Sequence, residues 1–169
     1  MSLDKAVEII KSFEGIADGD PATVNRDPYL CPSGYWTIGW GHVVRDITGS
    51  TFRGKESKAA AKRIYPKGIT RKEAEVILLN DTKKVEAFIA ATVKVPLNDN
   101  QLAALISFTF NVGHGNFNRS TLLRRLNAKD YAAVPAQLKR WNKSNGRVSK
   151  GLTRRRELEA KLWSTPIKT

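Results

Sequence analysis

The chain is poor in the residues that build covalent or metal scaffolds: among 169 residues there are one cysteine, two histidines and one methionine. A lone thiol, Cys31, has no partner for an intramolecular disulfide, and one Cys with two His falls short of any structural zinc spacing. The sequence therefore requires neither metal nor cofactor, and a chain of this length buries enough apolar surface to fold without staples. Acidic residues are scarce too. Sixteen Asp and Glu stand against 29 Lys and Arg, a formal charge of +13, which draws the protein toward polyanions: nucleic acid, anionic membrane or the bacterial envelope. The cations are scattered through "KAAAKR", "TKK", "RSTLLRR", "LKRWNK" and "RRR", a distribution that equally suits a solvated basic surface. Long apolar runs are missing. "MSLDKAVEIIKSFEG" carries neither a signal-peptide core nor a membrane span, so the expectation is a chain made and left in the cytoplasm.

What is present is periodic. Leu3, Ala6, Val7, Ile10 and Phe13 recur at helical spacing and predict an amphipathic helix over about 3–13, stopped at Gly15. Residues 15–34, rich in Gly, Asp, Pro and Asn, read as an exposed loop. From Gly34 to Val44, β-branched and aromatic residues alternate with Gly as in a hairpin or small sheet. A short basic helix ends at Pro66. Thr70 and Glu73 then have the spacing of a capping box, opening a long helix to about Thr92, and a second box, Asn98 to Gln101, opens the apolar run "LAALISFTF", which ends at Gly113. That helix is apolar nearly all round and belongs at the centre of a helical lobe. Further helices are predicted from Ser120 to about Asn127, Asp130 to about Trp141 and Leu152 to Trp163. The sum is an α+β, mostly helical chain. It has a small β-containing lobe over about 1–68, a connecting helix over about 70–92 and a helical lobe over about 96–165, with a cleft expected between lobes.

Few residues in this frame are equipped for chemistry. Glu14 follows Phe13 at a helix end, where apolar neighbours half shield a carboxyl and favour its protonated form; most Glu at helix ends are simply solvated. Cys31 and Thr37 lie six positions apart across a Pro32–Gly34 turn that folds the two side chains toward each other. Together they can hold a water, or they are a buried small hydrophobe and an ordinary strand residue. His42, after Gly41, suits a structural hydrogen bond, with Asp81 on the connecting helix as partner in a strut between lobes.

The strings "FEG" at 13–15, "YLCPSGYWTIGWGH" at 29–42, "ISFTFNVGHGNFNRSTLLRRLN" at 106–127, "RWNK" at 140–143 and "GLTRRRELE" at 151–159, in this order, resemble the phage-type lysozymes of glycoside hydrolase family 24, the endolysins. The likeness runs from about Leu3 to Trp163. It implies a lysozyme-like fold and a catalytic Glu, then Asp or Cys, then Thr, which fall on Glu14, Cys31 and Thr37. The last step matches. The first is seventeen positions (31 − 14) where family members usually have about nine, and the surplus falls in "IADGDPATVNRDP", where extra loop length costs little; it also adds Asp18, Asp20 and Asp27 as rival acids.

The resemblance further implies hydrolysis of the β-1,4 bond between N-acetylmuramic acid and N-acetylglucosamine in peptidoglycan. Glu14 would protonate the leaving oxygen. A cysteine, with a reference pKa of about 8.5, is a poor general base near neutrality, so Cys31 with Thr37 would orient a water, or less readily attack the sugar itself. The glycines of the same segment would let substrate approach the backbone. Phe110, Asn111, Gly113, Ser120 and Thr121 would contact substrate, although Gly113 also suits a helix stop and Ser120 a helix cap; one of Arg154 to Arg156 would approach Glu14. The expected partners are peptidoglycan glycan strands and the anionic envelope, met by a monomer that leaves the host cytoplasm for the cell wall through a separate holin-like protein. A catalytically dead wall-binding relative and a basic nucleic-acid-binding module are the alternatives; the second lacks a base-reading helix or stacking platform, so nucleic acid is not an expected partner.

Overall fold

A computed structural model describes residues 1–14 and 25–167. In chain order the elements are α1 (Ser2–Phe13), β1 (Asn25–Leu30), β2 (Trp36–Gly39), β3 (His42–Val43), α2 (Lys58–Ile64), α3 (Arg71–Thr92), α4 (Asp99–Val112), α5 (His114–Asn118), α6 (Thr121–Asn127), α7 (Val134–Lys139), β4 (Lys143–Ser144), β5 (Arg147–Val148) and α8 (Lys150–Ser164). Short 3-10 turns at Lys55–Ser57 and Tyr131–Ala133 lead into α2 and α7. No described helix is long and apolar enough to cross a membrane. Contacts divide the chain into two compact units, Ile10–Asp81 and Met1–Ile9 with Thr82–Thr169.

The unit Ile10–Asp81 is built on an antiparallel sheet in the order β1-β2-β3. Thr37 is opposite Tyr29 on one side and Val43 on the other; as the central strand, β2 is buried along its whole length. Its core is Ile10, Trp36, Ile38, Trp40, Val44, Ala61, Ile69, Ala74 and Leu78. β1 corrects the expectation of a loop across residues 15–34. Asn25, Arg26, Asp27 and Pro28 are poor strand formers by themselves, yet pairing with β2 recruits them. Proline is tolerated because β1 is an edge strand whose register shifts between Asn25 and Tyr29. Arg26 pins this edge: its carbonyl accepts the Ile69 N–H at 2.7 Å and its Nε donates to the Ile69 carbonyl at 3.1 Å. The stop at Gly15 and the acids Asp18 and Asp20 lie outside the described residues.

α3 begins where the capping box places it: the Thr70 hydroxyl accepts the Glu73 N–H at 3.2 Å, and Glu73 Oε2 accepts the Thr70 N–H at 2.6 Å. In the helical unit α4 is the core. Ala103, Ala104, Leu105, Ile106 and Phe108 are all fully buried, packed among Val85 and Ile89, Leu122 and Leu126, Val134 and Leu138, and Ala160 and Trp163. Its N-terminus carries the reciprocal Asn98–Gln101 box. The sequence pattern did not anticipate α5 or the β4–β5 hairpin, and it merged into one helix what is a 3-10 turn followed by the shorter α7, which opens on Val134–Pro135 with proline in its first turn.

One charged group is sealed inside this unit. Glu159 is fully buried; Oε1 accepts the Ser107 hydroxyl at 2.6 Å and Arg155 Nε at 3.3 Å, and Oε2 lies 3.2 Å from Arg156 Nε. Arg155 Nη2 also donates to the Ser107 carbonyl, and the Arg156 guanidinium lies 4.8 Å from the centre of the Phe108 ring. Burial pushes the Glu159 carboxyl above its ordinary range, against the pull of both arginines and Ser107. Removing one partner strands the other charges in a dry site. Glu159→Ala is therefore expected to lower stability by about 3–5 kcal/mol in urea unfolding, far more than alanine at an exposed position of the same helix such as Glu157.

Candidate active site

Cys31 and Thr37 are brought together by a tight hairpin. After β1 the chain turns through Pro32, Ser33 and Gly34: Gly34 N–H donates to the Cys31 carbonyl and Cys31 N–H to the Tyr35 carbonyl, both at 2.8 Å. Proline supplies the first turn residue, and Gly34, at φ 82, takes the left-handed conformation that closes a three-residue hairpin loop. Side chains directly opposite share a face of a sheet, and residues two apart in one strand share it as well. Tyr29, Thr37 and Cys31 therefore lie on one face, with Cys31 the diagonal neighbour of Thr37. Thr37 is buried and its hydroxyl donates to the Tyr29 carbonyl at 3.3 Å; Cys31 is half-buried.

Glu14 follows the last turn of α1, its N–H still bonded to the Ile10 carbonyl at 2.9 Å. That turn is anchored to the sheet-containing unit by the fully buried Ile10 and by Lys11, whose Nζ is 4.8 Å from the centre of the Trp40 ring and 3.4 Å from Glu75 Oε1. The Glu14 side chain is half-buried.

Tyr29 stands opposite Thr37 and two positions before Cys31, and its importance was not evident from the sequence. Its hydroxyl has a raised pKa, first because it is buried; a hydrogen bond with Thr37 pulls the other way, and the charges of Glu14 and Cys31 push it further up. The alternation Tyr29-x-Cys31, one face of a strand, was the available signal, hidden by reading the segment as loop.

His42 and Asp81 meet as expected, with Nδ1 to Oδ2 at 2.6 Å. Both belong to the unit Ile10–Asp81, so the contact ties β3 to α3 within one unit and is not the strut between lobes that was anticipated. Nor do the glycines all serve substrate access. Gly39 has φ 61, a left-handed conformation that favours glycine, while a Cβ there would stand at ordinary contact distance from Ile69 and Ala74, so this glycine serves the turn between β2 and β3. Asp27 lies exposed on β1.

The remaining candidates sit in the helical unit. Phe110 packs against its core, and Asn111 is held by Arg156 Nη2, which donates to Oδ1 at 2.7 Å. Gly113 caps α4, its N–H bonding to the Thr109 carbonyl at 2.8 Å. Ser120 caps α6: its hydroxyl accepts the Leu123 N–H at 3.0 Å and donates to the Phe117 carbonyl at 2.7 Å. Both helix-end roles are thereby filled by the backbone itself. Thr121 follows, half-buried, in a depression of about 290 Å³ that Arg119 and Arg124 also line. Among the described residues no cluster of His, Cys, Asp and Glu could hold a metal ion.

The phage lysozyme family matches residues 12–159, the span that contains Glu14, Cys31, Thr37 and the buried Glu159. The chain belongs to this family. An endolysin of Acyrthosiphon pisum secondary endosymbiont phage 1 is 32% identical over 166 residues, covering 96% of this chain and 97% of the relative. An endolysin of Bacillus phage B103 is also 32% identical, and the chain spans about half of it, 55%. Among solved structures, the endolysin from Escherichia coli O157:H7 phage FAHEc1 superposes with a TM-score of 0.70 at 29% identity, covering 95% of this chain and 90% of that one. This family member is a lysozyme-like α+β protein and a peptidoglycan-hydrolysing enzyme.

The phenol gives a pH prediction. Because its folded pKa is raised above the unfolded value of 10.0, Tyr29 contributes stability that is complete below the unfolded pKa and is lost as pH rises through the folded one. Tyr29→Phe should therefore lose less stability than the wild type in thermal melts taken on the alkaline side of pH 10, and should remove one late-ionising group from the ultraviolet titration of the native protein.

Proposed function

We propose that Glu14, Cys31 and Thr37 form the hydrolytic centre of a muramidase that cuts the β-1,4 bond between N-acetylmuramic acid and N-acetylglucosamine. The observation that carries this reading is the β1–β2 register, which sets Cys31 diagonally beside the buried Thr37 on one face of the sheet. Hydrolysis of a glycosidic bond needs a proton for the departing oxygen and a nucleophile on the opposite face of the sugar. Glu14, half-buried at the end of an anchored helix, is the proton donor. Thr37, its hydroxyl already oriented by a backbone carbonyl, and Cys31 hold the water that attacks the anomeric carbon as the glycosidic bond breaks; the leaving oxygen takes the Glu14 proton, and the proton shed by the water passes to solvent, from which Glu14 is reprotonated. Asn111, fixed through its carbonyl oxygen by Arg156, keeps its amide hydrogens for hydroxyl or acetamido groups of the glycan.

The enzyme works as a monomer, reaches the wall through a separate membrane-permeabilising protein, and has no nucleic-acid substrate. Its +13 charge speeds encounter with the anionic wall and makes lysis fall with salt.

Glu14→Gln keeps the shape and removes the acid. It should remain folded and lose roughly 10²- to 10⁴-fold in the release of reducing ends from purified murein; full activity would refute the assignment. Cys31→Ser separates the two roles of the thiol. If it retains most activity, water positioning suffices; a collapse in Cys31→Ser and Cys31→Ala, with retained anomeric configuration in the wild-type product by NMR, would establish covalent attack instead.

A further inference from the structure

Beyond β3 the chain runs out to a narrow tip and returns, closed by the Arg45–Thr51 bridge. Hydrogen bonds within the turn stiffen it. The Asp46 carboxylate accepts the Thr48 hydroxyl at 2.6 Å, the Thr48 N–H at 2.8 Å and the Ser50 N–H at 3.0 Å. The Asp46 carbonyl accepts the Gly49 N–H at 3.0 Å, and Arg45 Nη1 donates to the Gly49 carbonyl at 2.8 Å. The acid at the tip is thus consumed by its own turn. Ile47, beside it, touches nothing: its relative exposure is 103%, the highest of any large apolar residue described.

The surroundings are cationic. From Arg45 to Lys67 there are seven Lys and Arg against two acids. All seven are exposed, and among the described residues none takes part in an ion pair. Arg53, on the returning arm, is laid over the Tyr35 ring at 4.7 Å, which orders the guanidinium without neutralising its charge.

We propose that this tip docks on an anionic lipid bilayer, Ile47 entering the interface while Arg45, Arg53 and the lysines that follow face the headgroups. One exposed apolar side chain is ordinary on a soluble protein, and a run of cations suits any polyanion. Their combination on a stiff turn discriminates. A glycan or nucleic acid neutralises the arginines but offers no apolar phase to Ile47, whereas a bilayer accepts both, and two weak signals together give a useful affinity where either alone does not. The surface lies outside the hydrolytic centre and goes beyond the reaction assigned to it.

Flotation of the full chain with vesicles tests this. Vesicles of phosphatidylglycerol and phosphatidylethanolamine should bind the protein at least ten-fold better than phosphatidylcholine. Ile47→Asp should lose about ten-fold of that binding, while Ile47→Trp should keep it and add a blue-shifted emission component on vesicle addition. Hydrolysis of purified murein, measured in parallel, should be unchanged in both variants, so a failure of the proposed chemistry is seen separately. Binding undiminished in Ile47→Asp would reduce the effect to charge alone and overturn the proposal. So would indifference to lipid charge, or binding to DNA and soluble murein fragments without any to vesicles.

Discussion

Everything about the candidate centre depends on the register with which β1 meets β2. Tyr29 faces Thr37 and Leu30 faces Trp36. A slip of one residue would carry Tyr29 and Cys31 to the opposite face of the sheet, away from Thr37. Two features forbid the slip. The turn at Pro32–Gly34 fixes the loop at three residues, and Trp36, buried with its Nε1 donating to the Gly54 carbonyl at 2.8 Å, cannot exchange places with a neighbour without exposing the indole and breaking that bond. The position of Cys31 is thus enforced by the buried Trp36 side chain and by Gly34, whose N–H bonds to the Cys31 carbonyl.

In the helical unit the organising element is electrostatic. Replacing a buried ion pair by well-packed apolar residues is often neutral or favourable, so the Arg155–Glu159–Arg156 group is not retained for stability alone. What it supplies is alignment. Through Ser107 it locks α8 to the middle of α4, and through Arg156 it reaches Asn111 in the last turn of α4. An apolar α8 could pack on α4 in several rotations; the three charges restrict that freedom, because Glu159 must meet Ser107 on α4 while both arginines meet Glu159. Orientation of a candidate substrate-binding amide follows from that arrangement.

Much of this was legible in the sequence where local chemistry and tertiary structure agree. The Thr70–Glu73 and Asn98–Gln101 boxes locate two helix starts because the side chains and backbone groups concerned are all within one turn. The apolar circumference of 102–110 gives the central helix because nothing but full burial suits it. The trio Glu14, Cys31 and Thr37 came from the family resemblance and not from local pattern. What stayed hidden was decided at long range. β1 is a strand because β2 pairs with it, against the preferences of Asn25, Asp27 and Pro28. Tyr29 matters because that pairing sets it opposite Thr37. His42 and Asp81 were matched correctly, but whether their contact joins two units depends on where α3 is divided, which no local pattern states. The β4–β5 hairpin is a different case: Asn145–Gly146 between short polar arms was a readable turn signal, masked because those arms lack the apolar alternation that marks a strand.

The seventeen-residue step from Glu14 to Cys31, nearly twice that usual in the family, then becomes a question of energetics. Loop-closure entropy grows only logarithmically, so doubling a connection costs about 0.6 kcal/mol. Against that stand the anchors at each end: Ile10 buried and Lys11 over Trp40 on the Glu14 side, and the hairpin turn with its buried Trp36 on the Cys31 side. Each buried large side chain alone contributes about 1.5–3 kcal/mol. The positions of Glu14 and Cys31 are therefore governed by where α1 ends and where β1 turns, and added chain length between them costs little.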